Sequence, residues 1–194
     1  MPPRYKFTRE EILKTALNIA RKKGIESVTA RAVGAELGAS SKVIFSLFGN
    51  MQTLHEELIK AAYSLYWQFV KEDTASGKYL PYKASGMAYI RFAKEETELF
   101  KLLFMRDRSD EASTSVVADK DDLEMENIYR IISKANGFSL QQAKLLHLEM
   151  WIYVHGIATM LATSYMPFEC DFISDLLTDA YEGIRMRIAR QEEK

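Results

Sequence analysis

Apolar residues recur at intervals of three and four along almost the whole chain. An α-helix completes a turn every 3.6 residues, so this spacing collects apolar side chains along one helix face. Strands instead alternate apolar and polar residues between turn signals, and that pattern is hard to find in this sequence. The sequence therefore predicts an all-α fold of about nine helices.

Residues that cap the first turn of a helix mark several predicted helix starts. Thr8 with Glu11, and Ser139 with Gln142, have the spacing of capping boxes. Side chains of the types that cap helices also precede three other helical segments, at Thr29, Ser40 and Asn50.

Glycines and polar segments mark the predicted helix ends. Gly24 should end the first helix, and Gly38 should take the left-handed conformation of a tight turn after the second. The charge-rich segment 106–122 is predicted to be a loop, at least in part, with the next helix starting at Leu123. Two long helices close the chain, and their apolar faces suit either a dimeric four-helix interface or a monomer core.

The composition is that of a soluble globular protein. The 194 residues are 47% apolar and 27% charged, which allows a sizeable core and argues against disorder. Residues 1–11 lack the apolar run of a secretory signal, and the most apolar stretch, 151–162, is too short to span a bilayer. We therefore expect a cytoplasmic location. Cys170 is the only cysteine, so an intrachain disulfide is excluded and a buried structural thiol is expected.

Charge is unevenly distributed, although the formal net charge is only −1. Residues 1–50 contain nine Lys or Arg and four Asp or Glu, a balance of +5, whereas the remainder contains 17 and 23, a balance of −6. Proteins that bind nucleic acids collect basic residues in one region to contact phosphates. The basic N-terminal part is therefore where DNA contacts are expected.

Residues 29–48, TARAVGAELGASSKVIFSLF, predict two short helices around the turn at 38–40. Small residues in the first helix permit close contact with the second, which is helix-turn-helix geometry. On the second helix Ile44, Leu47 and Phe48 should pack inward. The side chains left to reach base edges are Ser41, Lys42, Val43 and Ser46. Such a turn is also common in all-α cores, so the spacing alone leaves a purely structural role open.

Residues 8–58 resemble the N-terminal domain of the TetR family of bacterial regulators. The likeness lies in the segments ILKTALNIARKKG and VTARAVGAELGASSKVIFSLFGNMQTL, which place eight residues at the family's spacing: Ala16, Gly24, Thr29, Val33, Gly38, Ser40, Phe48 and Leu54. The resemblance implies a helix-turn-helix DNA-binding domain over residues 1–50. It also implies a larger helical bundle for ligand binding and dimerisation over residues 51–194.

Carried over position by position, the resemblance implies phosphate contacts from the first residues of the second helix and from the turn. It places Lys42, Val43 and Ser46 of the third helix near the bases. The resulting candidate DNA-binding residues are Thr29, Arg31, Ser40, Ser41, Lys42, Val43, Phe45 and Ser46.

Two positions depart from the family pattern. Phe45 stands where a tyrosine hydroxyl usually binds phosphate, and Met51 stands where a lysine usually begins the fourth helix. Both departures weaken the electrostatic part of DNA binding. Backbone amides at the start of the fourth helix and a basic arm with Arg4 and Lys6 are expected to compensate. The sequence therefore predicts specific but rather weak binding.

The segment WIYVHGIATM, residues 151–160, resembles the Trp, His, Gly signature of one C-terminal class within the same family. Trp151 and His155 are four residues apart and share a helix face, and Gly156 allows another helix to approach. The Trp–His pair is expected either to belong to the core or to contact a ligand directly.

Methionine and aromatic side chains at helical spacing would suit an apolar or amphipathic small molecule between helices. The family resemblance, rather than the composition, implies such an effector pocket. Its candidate residues are Met87, Phe92, Phe104, Trp151 and His155. No cofactor is expected. The histidines, at 55, 147 and 155, lack an accompanying catalytic or metal-binding motif, so neither an enzyme nor a metal site is predicted.

Together these features predict a TetR-type regulator, a repressor that binds palindromic operator DNA as a homodimer through its last two helices. A small-molecule effector is expected to release it from double-stranded DNA. A helical ligand-binding module with degenerate DNA binding is the main alternative, and a small helical enzyme is the third.

Overall fold

The computed structural model describes residues 7–105 and 115–190, without the side chains of residues 115–124. These residues form nine α-helices and a short 3-10 helix, with no strand among them. The helices are α1 Arg9–Lys23, α2 Ala30–Glu36, α3 Lys42–Phe48, α4 Met51–Ala75, α5 Pro81–Glu95, α6 Thr97–Phe104, α7 Ser115–Asn136, α8 Leu140–Ala162 and α9 Cys170–Ala189, with the 3-10 helix at Ile25–Ser27. The predicted all-α fold is confirmed.

Local capping signals decide several of these helix starts, as the sequence predicts. Both capping boxes are present, with the cap side chain and the third helical residue each bonding the other's backbone N–H. The Thr29 hydroxyl accepts a hydrogen bond from the Ala32 N–H at 3.1 Å. The Asn50 amide oxygen accepts one from the Thr53 N–H at 2.9 Å.

The start of α7 differs from the prediction. The helix begins at Ser115 rather than at Leu123, so residues 115–122 of the predicted loop are helical. Polarity alone does not end a helix, and no glycine or proline interrupts the chain between Ser115 and Asn136. The rest of the predicted loop, 106–114, lies outside the described residues, as do Arg4 and Lys6 of the predicted basic arm.

The expectation of a buried thiol is wrong. Cys170 is exposed. It is the first residue of α9 and follows an exposed Glu169, so it lies before the helix turns its apolar face inward at Ile173.

The chain divides into two compact units. The first comprises residues 1–67 and 95–106, and the second comprises residues 68–94 and 107–194. The first unit thus contains α1 to α3, most of α4, and α6, while the second contains the end of α4, α5 and α7 to α9. The proposed functional boundary after residue 50 is a different division and stays a prediction.

The core of the first unit is built from one apolar face of each of its helices. Its fully buried side chains include Ile12, Val33, Ile44, Leu54, Leu58, Leu99, Phe100 and Leu103. Glu96, at the start of α6, is the one buried charged residue among those described. Its carboxylate is paired with Arg21 of α1, whose Nε donates to Oε2 at 2.7 Å. Because a buried carboxylate is costly unless it is paired, this ion pair attaches α6 to α1.

In the second unit, α8 has one buried and one exposed apolar face. Leu146, Met150 and Val154 are buried, whereas Leu148 and Ile152 are more than half exposed, at 52% and 58%. α8 is also the one helix in the described ranges whose length and apolar composition would suffice to cross a membrane. Core helices of soluble proteins meet the same criterion, so composition does not decide the role of the exposed face.

Helices α2 and α3 approach closely at Gly34. The Ala39 N–H donates to the Gly34 carbonyl at 2.8 Å, and a Cβ on Gly34 would lie 2.9 Å from the Ala39 carbonyl oxygen and 3.2 Å from the Ser41 nitrogen. Gly38 follows at φ +61°, the left-handed conformation predicted for this turn. The turn geometry therefore leaves no room for a side chain at position 34.

We expect Gly34→Ala to lower the free energy of unfolding by about 1–3 kcal/mol, because the added methyl meets backbone atoms that have little freedom to move. Urea titration followed by circular dichroism measures this change. Gly86→Ala is the matched control, since a Cβ there would make ordinary contacts of 3.5 Å with Val154 and 3.6 Å with Leu177. Equal stability of the two variants would contradict the close approach at Gly34.

Candidate functional site

Helix α3 has two clearly different faces. Ile44 and Phe48 are buried, at 0% and 4% exposure, in the core of the first unit. Lys42 and Ser46 are exposed on the other side of the helix, and Phe45 is exposed on its flank. The inward packing predicted for Ile44 and Phe48 is therefore present, while Val43 and Leu47 lie at the edges and are half-buried.

Arg9 of α1 holds the C-terminal end of α3. Its guanidinium lies over the Phe48 ring, 4.2 Å from the centroid, and donates to the Leu47 carbonyl. The same group forms an ion pair with Glu57 of α4, and its Nε donates to Oε2 at 3.1 Å. Arg9 thus joins three helices around the core side of α3. No sequence signal links these residues, because Arg9 and Glu57 are 48 positions apart.

Besides the contacts of Arg9, His55 links α4 to the segment before α2. Its Nε2 lies 2.9 Å from the Val28 carbonyl oxygen, next to Thr29. This contact attaches the residue before Thr29, the cap of α2, to the first part of α4.

All candidate DNA-binding residues lie in the first unit. Six of them are exposed and two, Ser41 and Val43, are half-buried. The Ser40 hydroxyl accepts from the Lys42 N–H at 3.4 Å, and Ser41 occupies the cap position of α3 that was predicted for Ser40. The Ser46 hydroxyl donates to the Val43 carbonyl at 2.8 Å, so its proton is engaged within α3.

The segment that contains α3 has few charged residues. Lys42 is the only Lys, Arg, Asp or Glu between Gly38 and Leu54. Met51, at the position of the expected lysine, begins α4 as a half-buried residue. The arrangement offers one ammonium group, exposed hydroxyls and an aromatic ring.

Two family models match this chain. One, for bacterial regulatory proteins of the tetR family, matches residues 12–58, and the other, for a tetracyclin repressor-like C-terminal domain, matches residues 82–181. The C-terminal match alone covers more than half of the 194 residues. The chain belongs to the TetR family. It is a transcription regulator with a helix-turn-helix DNA-binding domain at its N-terminal end.

Solved structures show the same TetR-family fold. The chain is similar to a TetR-like transcriptional regulator from Rhodococcus sp. RHA1, with a TM-score of 0.66, 15% identity, and coverage of 91% of this chain and 96% of that one. A protein described as of unknown function from Rhodococcus sp. RHA1 gives a TM-score of 0.71, 19% identity, and coverage of 96% and 97%. At these identities the likeness concerns the fold alone. No curated protein matches the chain.

Four of the pocket candidates lie in the second unit of this TetR-family chain, and Phe104 lies in the first. Phe92 is fully buried and packs edge-on against Phe69, with centroids 5.3 Å apart. Met87 is also buried. Phe104 packs against Tyr66 of α4, with ring centroids 5.3 Å apart. Met87 and Phe92 thus belong to the apolar core of the second unit, whereas Phe104 is half-buried in the first.

Trp151 and His155, which belong to the Trp, His, Gly segment, form a stacked pair. Their ring centroids are 5.1 Å apart and their planes differ by 14°. The His155 Nδ1 lies 2.8 Å from the Tyr89 hydroxyl of α5. Trp151 is 43% exposed, so the pair is only partly in the core. Its role in ligand contact stays a prediction.

A second polar cluster, which the sequence did not reveal, surrounds His147. Its Nδ1 lies 3.2 Å from the hydroxyl of Tyr82, and its ring packs edge-on against Tyr129, with centroids 5.5 Å apart. Tyr181 packs beside Tyr82 and bonds Asn136 through its hydroxyl. Burial lowers the pKa of His147 and raises the pKa of Tyr82, because both charged forms lose contact with water.

The lowered pKa of His147 makes stability depend on pH. The unfolded chain binds the proton more readily, so the contribution of neutral His147 is complete above the unfolded pKa near 6.5 and is lost as the pH falls from there through the lower folded pKa. We expect the free energy of unfolding to decrease from pH 7.5 to 5.5, and to decrease less in His147→Gln.

Urea titrations at several pH values measure this slope. Tyr82→Phe is the control, because it removes the hydrogen bond to His147 but keeps the imidazole buried. An unchanged pH slope in His147→Gln would contradict the assignment.

Proposed function

We propose that this TetR-family regulator is a repressor that binds a palindromic operator as a homodimer and leaves DNA when a small-molecule effector binds. The observation that supports this most directly is the two-sided α3. Burial of Ile44 and Phe48 leaves Lys42, Phe45 and Ser46 to face a partner, in the helix that enters the major groove in helix-turn-helix proteins. Thr29, Arg31 and Ser40 would contact phosphates, and Ser41 and Val43 complete the set of side chains proposed to lie near base edges.

The proposed dimer interface is the exposed apolar face of α8, together with α9. Leu145, Leu148 and Ile152 are exposed on α8, and Phe172 and Met186 are exposed on α9. Large exposed apolar patches mark interaction surfaces in soluble proteins. A second copy packed across a two-fold axis would form a four-helix interface. This arrangement also removes the apolar face of α8 from water in a cytoplasmic protein.

The proposed effector is apolar or amphipathic and binds among Met87, Phe92, Trp151 and His155 of the second unit. Methionine and aromatic walls adapt to such ligands, and the partly exposed Trp151 and His155 supply a stacking surface and an imidazole. Release would follow from a change in the separation of the two α3 helices, which must match half-sites about 34–36 Å apart. The proposed action is binding, without catalysis, metal or cofactor.

DNA binding should depend on salt and on Lys42. In a titration of the full chain against its own upstream DNA, we expect Lys42→Ala to weaken binding by about 1–3 kcal/mol if the ammonium reads a base. If it contacts only a phosphate, the salt slope should instead fall by about 1. Lys134→Ala, at an exposed position of α7, is the control and should bind like the unaltered protein.

The outcome also separates the two main functions. If the protein binds DNA without any sequence preference, and Lys42→Ala does not change that binding, the repressor proposal is overturned. It would favour a ligand-binding module in which Phe45 and Met51 mark a degenerate DNA-binding domain.

Charged residues on the exposed face of α8 should break the dimer. We expect Leu148→Glu combined with Ile152→Glu to shift the protein from dimer to monomer in analytical ultracentrifugation, because two carboxylates would be buried unpaired at the interface. Leu80→Glu is the matched control at an apolar residue that is 81% exposed outside α8 and α9. A dimer that survives the double substitution would place the interface elsewhere.

A further inference from the structure

Phe45 is an exposed aromatic ring on a helix whose core contacts are already made by other residues. Ile44 and Phe48 fill the core side of α3, while Phe45, on the flank of the helix, remains 46% exposed. Phenylalanine has no hydrogen-bonding group, so it recognises a partner only through apolar or stacking contact. The feature that Phe45 can detect on a partner is therefore an apolar group.

Few other α3 side chains are left to discriminate between bases. The Ser46 hydroxyl proton is engaged with the Val43 carbonyl, and Val43 itself is half-buried. Lys42 lies three residues before Phe45, so the two side chains are neighbours on the helix surface. One ammonium group beside one aromatic ring is thus the main chemical feature of this surface.

The base edges of the major groove present one apolar group, the C5-methyl of thymine, and phenylalanine is among the side chains that contact it. We propose that Phe45 reads a thymine methyl in each half-site of the operator, with Lys42 contacting the adjacent base edge or phosphate. This inference rests on the proposed function, because it requires α3 to enter the major groove. It makes position 45 a determinant of sequence specificity, although the residue lacks a phosphate-binding hydroxyl.

The test uses duplexes enriched by the full chain from a pool of random DNA sequences. Each thymine of an enriched duplex is replaced in turn by deoxyuridine, which lacks the methyl group and keeps the same hydrogen-bonding groups. We expect one symmetry-related pair of positions at which the replacement lowers affinity. The expected loss is about 3- to 5-fold for one half-site and about 15-fold for both, from the burial of one methyl group each.

Phe45→Ala should remove this discrimination, so that the variant binds the thymine and uracil duplexes equally. An exposed helical position accepts alanine readily, and circular dichroism checks that the variant is folded. Leu80→Ala removes an exposed apolar side chain that does not belong to α3, and this variant should keep the full difference.

The failures are distinguishable. If no sequence is enriched from the random pool, the proposed function is overturned and the inference falls with it. If a duplex is enriched but uracil is tolerated everywhere, or if Phe45→Ala retains the same sensitivity to uracil, only the inference is overturned. Tolerance of uracil at every position would indicate that the ring packs on the sugar–phosphate backbone or contacts another protein.

Discussion

The orientation of α3 depends on the burial of Ile44 and Phe48, one helical turn apart in the core of the first unit. A helix with two neighbouring positions fixed in this way has no freedom to rotate, since every other side chain then takes a set direction. Arg9 reinforces this by stacking on Phe48 and pairing with Glu57 of α4. The proposed DNA surface is therefore a consequence of core packing, and its precision comes from the rigidity of that core.

Helix α6 belongs to the same unit as the helix-turn-helix although α5 precedes it in the chain. The buried carboxylate of Glu96 explains much of this attachment. Arg21 satisfies it from α1, and the hydrogen bond to Glu96 in turn raises the pKa of the guanidinium. An uncharged side chain at position 21 would leave the Glu96 carboxylate buried and unpaired, which is strongly destabilising. Breaking this ion pair should therefore cost more stability than breaking the exposed ion pairs elsewhere on the helices.

The second unit combines an apolar core with polar groups that are paired inside it. His147 and His155 each have a tyrosine hydroxyl at hydrogen-bond distance, Tyr82 and Tyr89 of α5 respectively. Buried polar groups need such partners, and the same pairing aligns α5 with α8. The exposed face of α8 differs because it is apolar without a covering element of the described chain, which is why it is the surface proposed to meet a second copy.

The sequence by itself determined the all-α class, the capped starts of α1, α2, α4 and α8, and the turn at Gly38. These features depend on residues within four positions of one another, so local chemistry is sufficient to specify them. The sequence did not predict the start of α7 at Ser115, because polarity alone does not end a helix. It also did not predict the exposure of Cys170, because residue type alone does not determine burial.

Tertiary structure alone decided the rest: the clamp at Arg9, the pairing of Arg21 with Glu96, the tyrosines around His147, and the exposure of Trp151. Each of these joins or separates residues far apart in the chain. Hydrophobic periodicity shows which face of a helix is apolar, but not which other helix, or which partner, will cover it.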